Sequence, residues 1–228
     1  MGLAGAFWIS FASCIRLSYN HLIYWIFEEK KLEKVVLASA SPRRRELLKR
    51  VISSFVCMAP VVDETPKAGL GPEEQVVCLA SRKGEWAAER QKNSWIIAAD
   101  TLVVLGDKLL GKPKDPEDAA RMLSALNGRW HEVMTGLWVS DGQRVRTFCE
   151  ITRVHMAFDE WEMQGYIATG EPLDKAGGYG IQQQGGLLVD RIDGDYYNVV
   201  GLPLYRLRHI LKDMGMKVFP ESGFETCP

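Results

Sequence analysis

The stretch from Val35 to Leu48 constrains this chain of 228 residues more than any other part of it. Four consecutive apolar residues, typical of a buried strand, lead into a Ser-Ala-Ser-Pro turn, and three arginines follow where a helix is predicted to begin. Ser41 suits the N-cap position and Pro42 the first helical position. Because the first N–H groups of a helix have no partner within it, this segment predicts an anion-binding helix start.

Two of the arginines, Arg43 and Arg44, fall in the first turn of that helix, where their charge opposes the helix dipole. Guanidinium groups match phosphate oxygens in geometry. One interpretation is a solvated basic helix start, and the other is a receptor for a multiply charged anion. Placing positive charge at the unfavourable end of the helix favours the receptor.

The composition is that of an ordinary soluble globular protein, with 46% hydrophobic residues, 25% charged residues and a net charge of -1. This charge balance gives no indication of nucleic-acid binding. Neither the cysteines nor the histidines show metal-ligand or redox spacing; they stand at 14, 57, 78, 149 and 227, and at 21, 131, 155 and 209. We expect buried, reduced cysteines in a cytoplasmic protein, and structural roles for His131 and His155.

Residues 1–33 differ from the rest of the chain. Between Met1 and Phe27 the sequence is rich in aromatic and aliphatic residues, and Arg16 carries the only formal charge. The basic start of a secretory signal is missing, and the scattered polar residues argue against a membrane span. We expect an extension outside the catalytic fold and no membrane partner; a membrane-surface anchor is the alternative.

Hydrophobic periodicity and turn residues divide the remaining chain into strands and helices. Predicted strands cover 34–39, 54–59, 95–99, 102–105, 108–110, 130–140, 144–158, 187–192 and 197–200, and predicted helices cover 42–51, 72–90, 115–126, 159–169 and 203–214. The pairs Gly106-Asp107, Asp141-Gly142 and Asp193-Gly194 predict hairpin turns. Residues 171–182 form a glycine-rich loop, which suits close approach to a ligand.

Three charged residues stand in positions that need an explanation. Lys83 falls on the apolar stripe of the predicted helix 72–90, where its ammonium must reach an anion or extend to solvent. Asp100 lies between two strand-like runs, as a turn residue or as a catalytic carboxylate at a strand end. Lys112 completes a G-x-x-x-x-G-K pattern, but Pro113 replaces the hydroxyl residue of a P-loop. We reject the P-loop and keep Lys112 as a candidate phosphate contact.

Several of these stretches together resemble the Maf-like nucleotide pyrophosphatases. The matching segments are Leu37–Arg44, Asp63-Glu64, Leu79–Lys83, Ala99–Thr101, Gly111–Pro113, Thr135-Gly136, Glu171–Gly177, Tyr179–Gln182 and Asn198–Pro203. In order and spacing they cover about residues 34–215, which leaves 1–33 as an N-terminal extension and 216–228 as a tail. One segment would be weak support, but the ordered set is specific.

The resemblance implies an α/β fold with an elongated mixed β-sheet flanked by helices, and two lobes around a cleft, similar to inosine triphosphate pyrophosphatases. It implies hydrolysis of nucleoside triphosphates to the monophosphate and pyrophosphate with Mg²⁺ or Mn²⁺, commonly by a homodimer. The functional positions of the family fall on Ser39, Arg43, Arg44, Glu64, Lys83, Asp100, Lys112 and Gln182.

Within the family, Arg43, Thr101 and the Tyr-Gly-Ile-Gln segment resemble the branch that acts on dTTP and UTP. The branch that prefers 7-methyl-GTP has tryptophan in place of Arg43 and glutamine in place of Thr101. Specificity for 7-methyl-GTP is an alternative to dTTP and UTP, and modified pyrimidine nucleotides are another. This chain departs from the family pattern at Gly84, where alanine is usual, and at Gln183, where glycine is usual. The second departure bears on base specificity.

The roles expected from residue chemistry agree with the resemblance. Ser39, Arg43 and Arg44 would hold phosphate oxygens, while Lys83 and Lys112 would neutralise charge on the transferred group and the leaving pyrophosphate. Glu64 and Asp100 would hold the metal, and Asp100 would activate water. Thr101 and Gln182 would read the base or sugar. A non-catalytic nucleotide-binding regulator of cell division is the alternative class of function.

Overall fold

The computed structural model describes residues 34–218. The strands are β1 (Val35–Ala38), β2 (Val56–Met58), β3 (Trp95–Leu105), β4 (Lys108–Leu110), β5 (Trp130–Ser140), β6 (Val145–Met156) and β7 (Val189–Asp193). The helices are α1 (Pro42–Lys49), α2 (Pro72–Arg90), α3 (Pro116–Leu126), α4 (Glu160–Ala168), α5 (Tyr196–Val200) and α6 (Leu204–Asp213). The predictions for the extension 1–33 and for residues 219–228 of the tail lie outside the described residues.

The strands form one mixed sheet in the order β2-β1-β3-β5-β6-β7, with β4 beside β3. β1 pairs in parallel with β2 and β3. The pairs β3–β4, β3–β5, β5–β6 and β6–β7 are antiparallel. Apolar side chains such as Leu37, Ile97 and Leu137 are fully buried in it. The predicted α/β fold with a mixed sheet and flanking helices is confirmed.

One edge of β3 is interrupted. β1 pairs with residues 95–98 of β3, and β4 pairs with residues 103–105 of the same edge. Residues 99–102 therefore have neither strand opposite them, and we call this segment the notch. It lies where the parallel strand β1 ends, and the carboxyl ends of parallel strands are the usual ligand position in open α/β sheets. Asp100 and Thr101 stand in the notch and, as strand neighbours, point to opposite faces of the sheet.

The sequence predicted Asp100 in a turn or at a strand end, and the structure places it in the middle of a strand. β3 is one continuous strand, because β5 pairs with it from Ile96 to Val104 without a break, and Asp100 stands opposite Gly136. A Cβ at Gly136 would lie 2.5 Å from the carbonyl oxygen of Val76. The glycine thus lets α2 approach the sheet closely at the position beside Asp100.

The predicted strand 197–200 is wrong, and so is the predicted hairpin at 193–194. This segment is the short helix α5, because Asp195 caps it by accepting a 2.8 Å hydrogen bond from the N–H of Tyr197. Gly201 ends it with a φ of +118°, which favours glycine. The β-branched residues of this segment predicted a strand, but the two ends decide for a helix.

The structure also bears on what the sequence indicated for Cys57 and Gly84, and on whether a described helix could span a membrane. Cys57 is exposed on β2, contrary to the expectation of buried cysteines, because β2 is an edge strand. The departure at Gly84 has a packing reason, since a Cβ there would overlap the indole ring of Trp138. Within residues 34–218, none of the helices combines the length and the apolar character needed to cross a bilayer.

Candidate active site

Ser39, in the turn before α1, has a hydroxyl group that accepts two hydrogen bonds within the protein. Ser41 caps the helix by accepting the N–H of Arg44 at 3.4 Å. The buried Ser39 Oγ accepts the N–H of Ser41 at 3.2 Å and Nη1 of Arg44 at 3.3 Å. Its own proton is donated to no atom in residues 34–218, so it remains free for a ligand acceptor such as a phosphate oxygen.

Arg44 connects three segments of the site. Its Nε donates to the carbonyl oxygen of Gly201 at 2.9 Å, Nη2 donates to Thr101 Oγ1 at 2.9 Å, and Nη1 donates to Ser39. A guanidinium has five N–H groups, so two remain for a ligand. Burial lowers the pKa of Arg44, and the nearby charge of Asp100 opposes that shift. The arginine predicted as a phosphate ligand is thus also a frame that fixes both hydroxyl groups.

Arg43 reaches a different partner. Its Nη1 lies 3.5 Å from a carboxylate oxygen of Asp174, which belongs to the glycine-rich loop. Asp174 also accepts from Lys175, and its pKa is lowered by both cations against the effect of burial. The contact links the basic helix start to the loop. Asp174 lies in the matching segment Glu171–Gly177, but sequence reasoning assigned it no role of its own.

The acidic part of the site is built around Lys83. Its ammonium contacts Asp100 and lies 2.7 Å from an oxygen of Glu64, and both Lys83 and Asp100 are only 9% exposed. The hydrogen bond from Lys83 lowers the pKa of Glu64, and the charges of Lys112 and Arg44 act in the same direction. A lysine on the apolar face of α2 is therefore directed to two carboxylates rather than to solvent.

The two remaining predicted residues lie on exposed segments. Lys112 is exposed, and its loop is fixed by the carbonyl oxygen of Gly111, which accepts the N–H of Gly177 at 2.9 Å. Gln182 is exposed and makes no side-chain hydrogen bond within residues 34–218. Gln183 has a φ of -119°, so a side chain there causes no left-handed strain.

A buried pair that sequence reasoning did not connect anchors the glycine-rich loop. Nε2 of His131 lies 2.7 Å from the hydroxyl oxygen of Tyr179, and both side chains are buried. His131 belongs to β5 and Tyr179 to the loop, so the pair joins the loop to the sheet. Burial lowers the pKa of His131 from 6.5 to about 4.

This pKa predicts a pH-dependent loss of stability. Below about pH 6.5 the unfolded chain binds a proton that the folded chain refuses until about pH 4, so acid favours unfolding. Over this interval we expect His131 to reduce the free energy of unfolding by about 3 kcal/mol. Urea unfolding between pH 7 and pH 4 should give a shallower pH dependence for His131→Gln than for the parent. Parallel curves for the two proteins would contradict the prediction.

The fold and the site define an α/β protein with basic and acidic groups gathered at a notch in its sheet. The family model described as "Maf-like protein" matches residues 34–214. A dTTP/UTP pyrophosphatase of Acetivibrio thermocellus is 46% identical over 195 residues, covering 81% of this chain and 97% of the relative. One from Myxococcus xanthus is 48% identical over 183 residues, covering 80% and 93%. The chain therefore belongs to the Maf-like protein family.

Among solved structures, the Staphylococcus aureus Ham1 protein matches with a TM-score of 0.47 and 16% sequence identity, covering 80% of this chain and all (100%) of that one.

Proposed function

We propose that this chain hydrolyses nucleoside triphosphates, with dTTP and UTP as its main substrates, to the monophosphate and pyrophosphate. One observation carries the proposal: Arg44, which holds Ser39 and Thr101, lies within electrostatic reach of Arg43, Asp100 and Glu64. A cationic helix start and a carboxylate pair therefore meet around one notch. The dTTP/UTP pyrophosphatase relatives support the choice of substrate.

A divalent cation fits the two carboxylates if the bound nucleotide completes its coordination. Glu64 and Asp100 both contact Lys83, but residues 34–218 contain no group of three His, Cys, Asp or Glu side chains placed to hold a metal ion. Mg²⁺ commonly takes one or two carboxylates and completes its coordination with substrate phosphates and water. We infer that Glu64 and Asp100 hold Mg²⁺ or Mn²⁺ together with the nucleotide. When bound, the ion supplies positive charge to the phosphate oxygens.

The residues of the chain divide the remaining chemistry. Ser39 donates its free proton to a phosphate oxygen, and Arg43 exchanges Asp174 for the same anion. Asp100 accepts the proton of the water that attacks the α-phosphorus. Lys83 and Lys112 neutralise the charge that develops on the transferred group and on the leaving pyrophosphate.

The nucleoside has room beside this cluster. An open cavity of about 750 Å³ is lined by Asp174 of the glycine-rich loop and by Gln183 and Gln184, which follow the loop. Asp174 is also the partner of Arg43, so the cavity adjoins the basic helix start. We propose that Gln182, which precedes the lining residue Gln183, and Thr101 of the notch contact the base or sugar. A homodimer and a cytoplasmic location belong to the proposal through the family resemblance.

Pyrophosphate release tests the function directly. The full chain is mixed with UTP, dTTP, 7-methyl-GTP or ATP, with Mg²⁺, with Mn²⁺, or with chelator. We expect monophosphate and pyrophosphate from UTP and dTTP, and loss of turnover with chelator. Nucleotide binding without hydrolysis would support the regulator instead, and a preference for 7-methyl-GTP would overturn the choice of substrate.

The helix start gives a prediction with a matched control on the same helix. Arg43→Ala removes a cation from the site, so we expect KM for UTP to rise about tenfold with a smaller change in kcat. Arg45 lies two residues after Arg43 on the same helix and is exposed, so Arg45→Ala should leave both constants near the parent values. Steady-state kinetics of the two variants makes the comparison. An unchanged kcat/KM in Arg43→Ala would contradict the anion receptor.

A further inference from the structure

Two threonines with facing hydroxyl groups connect the notch to the interior. Thr101 of β3 and Thr135 of β5 are partners in the sheet, and their hydroxyl oxygens lie 3.0 Å apart. Thr135 is fully buried, with 0% exposed, whereas Thr101 is half-buried in the notch. Thr135 cannot touch a nucleotide, so any influence it has on recognition passes through Thr101.

The protons of the two hydroxyl groups can be assigned by counting donors. Thr135 Oγ1 lies 3.0 Å from the main-chain carbonyl oxygen of Asn198, which can only accept. If Thr135 donates its single proton there, it accepts the proton of Thr101, and both protons have partners. The reverse direction leaves the Thr101 proton without a partner in residues 34–218. Satisfying both protons favours the first arrangement.

Arg44 holds the hydroxyl groups of Ser39 and Thr101, but the two groups present opposite chemistry to a ligand. Thr101 Oγ1 accepts from Nη2 of Arg44 at 2.9 Å and donates to Thr135, so only a lone pair is left. Ser39 Oγ accepts two hydrogen bonds and has its proton left. The serine suits a phosphate oxygen, whereas the threonine suits a hydrogen-bond donor.

We propose that Thr135 is a specificity-determining residue that acts by fixing Thr101 as an acceptor. The proposal rests on the proposed function. dTTP and UTP share two kinds of donor, the ring N3–H of the base and the 3′-hydroxyl. The 3′-hydroxyl both donates and accepts hydrogen bonds and is present in UTP and CTP alike, so an acceptor at Thr101 cannot use it to distinguish the two nucleotides. The ring N3–H is a fixed donor, and cytosine has a lone pair at that position. Thr101 therefore accepts from the base and disfavours CTP.

The test compares Thr135→Val with Thr135→Ser. Valine has the shape of threonine without the hydroxyl, which frees the Thr101 proton to rotate toward the cytosine lone pair; serine keeps the acceptor. We measure kcat/KM for UTP, CTP and 3′-deoxy-UTP. The kcat/KM for UTP divided by that for CTP should fall about tenfold in Thr135→Val and stay at the parent value in Thr135→Ser. The ratio of UTP to 3′-deoxy-UTP should be the same in all three proteins.

Two results with folded Thr135→Val count against the inference. A UTP-to-CTP ratio in folded Thr135→Val equal to that of the parent overturns it, and so does a change confined to 3′-deoxy-UTP. If Thr135→Val does not fold, Thr101→Val removes the acceptor itself, and a parental ratio there overturns the inference equally. A parent protein that hydrolyses none of the three nucleotides defeats the proposed function instead, which keeps the two failures distinct.

Discussion

Asp100→Asn is expected to lower kcat for UTP about 100-fold or more while the protein remains folded. Asparagine keeps the size of the side chain but has no negative charge and cannot accept the proton of the attacking water. Lys83 retains Glu64 as a partner at 2.7 Å, so the buried ammonium is not left alone. Loss of a catalytic carboxylate with a preserved fold is the signature that separates chemistry from stability.

The Asp100 variant needs a control and a measure of folding. Asp107 is an exposed aspartate in the turn after β3, so Asp107→Asn removes the same charge outside the site and should keep parental turnover. Thermal unfolding should show a midpoint for Asp100→Asn within roughly 5 °C of the parent. Turnover within tenfold of the parent value would remove Asp100 from the mechanism. A variant that fails to fold would show that the carboxylate is needed for structure.

The parts of the site that could be predicted from sequence depend on local rules. Ser41 and Pro42 mark the start of α1 because capping depends on a few adjacent residues, and the helix begins at Pro42. Lys83 was identified because the period of α2 places it among apolar residues, and it is buried. Most of the order of strands and helices follows from the same periodicity, except for the helix at 196–200 and the single strand over 95–105. The mixed sheet agrees with the family resemblance.

The parts that could not be predicted depend on contacts between distant positions. The hydrogen bond of Thr135 to Asn198 spans 63 residues, and the pair of His131 with Tyr179 spans 48. The sequence marks each of these residues as ordinary strand or loop, since nothing local indicates which partner it meets. The prediction that Asp100 lies at a strand end was wrong for a related reason. A polar residue in an apolar run suggests a strand end, unless a cation on a packed helix satisfies it.

The departure at Gly84 shows how a distant contact explains a local oddity. Glycine inside a helix is unfavourable by about 1 kcal/mol relative to alanine. The indole ring of Trp138 on β5 occupies the space that a Cβ would need. The neighbouring Lys83 thus lies where α2 packs directly on the sheet, which holds its ammonium near Asp100.

Lys83→Met is the second change expected to have a large effect, with kcat lowered roughly 100- to 1,000-fold. Methionine replaces the buried stem of lysine with an unbranched apolar chain but has no charge to offset that of the transferred phosphoryl group. Glu64 has a side chain that is 66% exposed and can turn to solvent, while Asp100 keeps the charge of Arg44 nearby. The variant should therefore remain folded. Lys92 is exposed, and Lys92→Met serves as the matched control with parental turnover expected.

Combining the two changes tests whether Lys83 and Asp100 act as one unit. Their side chains are in direct contact, so each single change already disables the pair. Residues that act together give non-additive losses, and the double variant should be no more than a few-fold slower than the slower single variant. Steady-state kcat for the parent, both single variants and the double variant completes the cycle. Losses that multiply would mean that the ammonium and the carboxylate make separate contributions, and the contact would then be only structural.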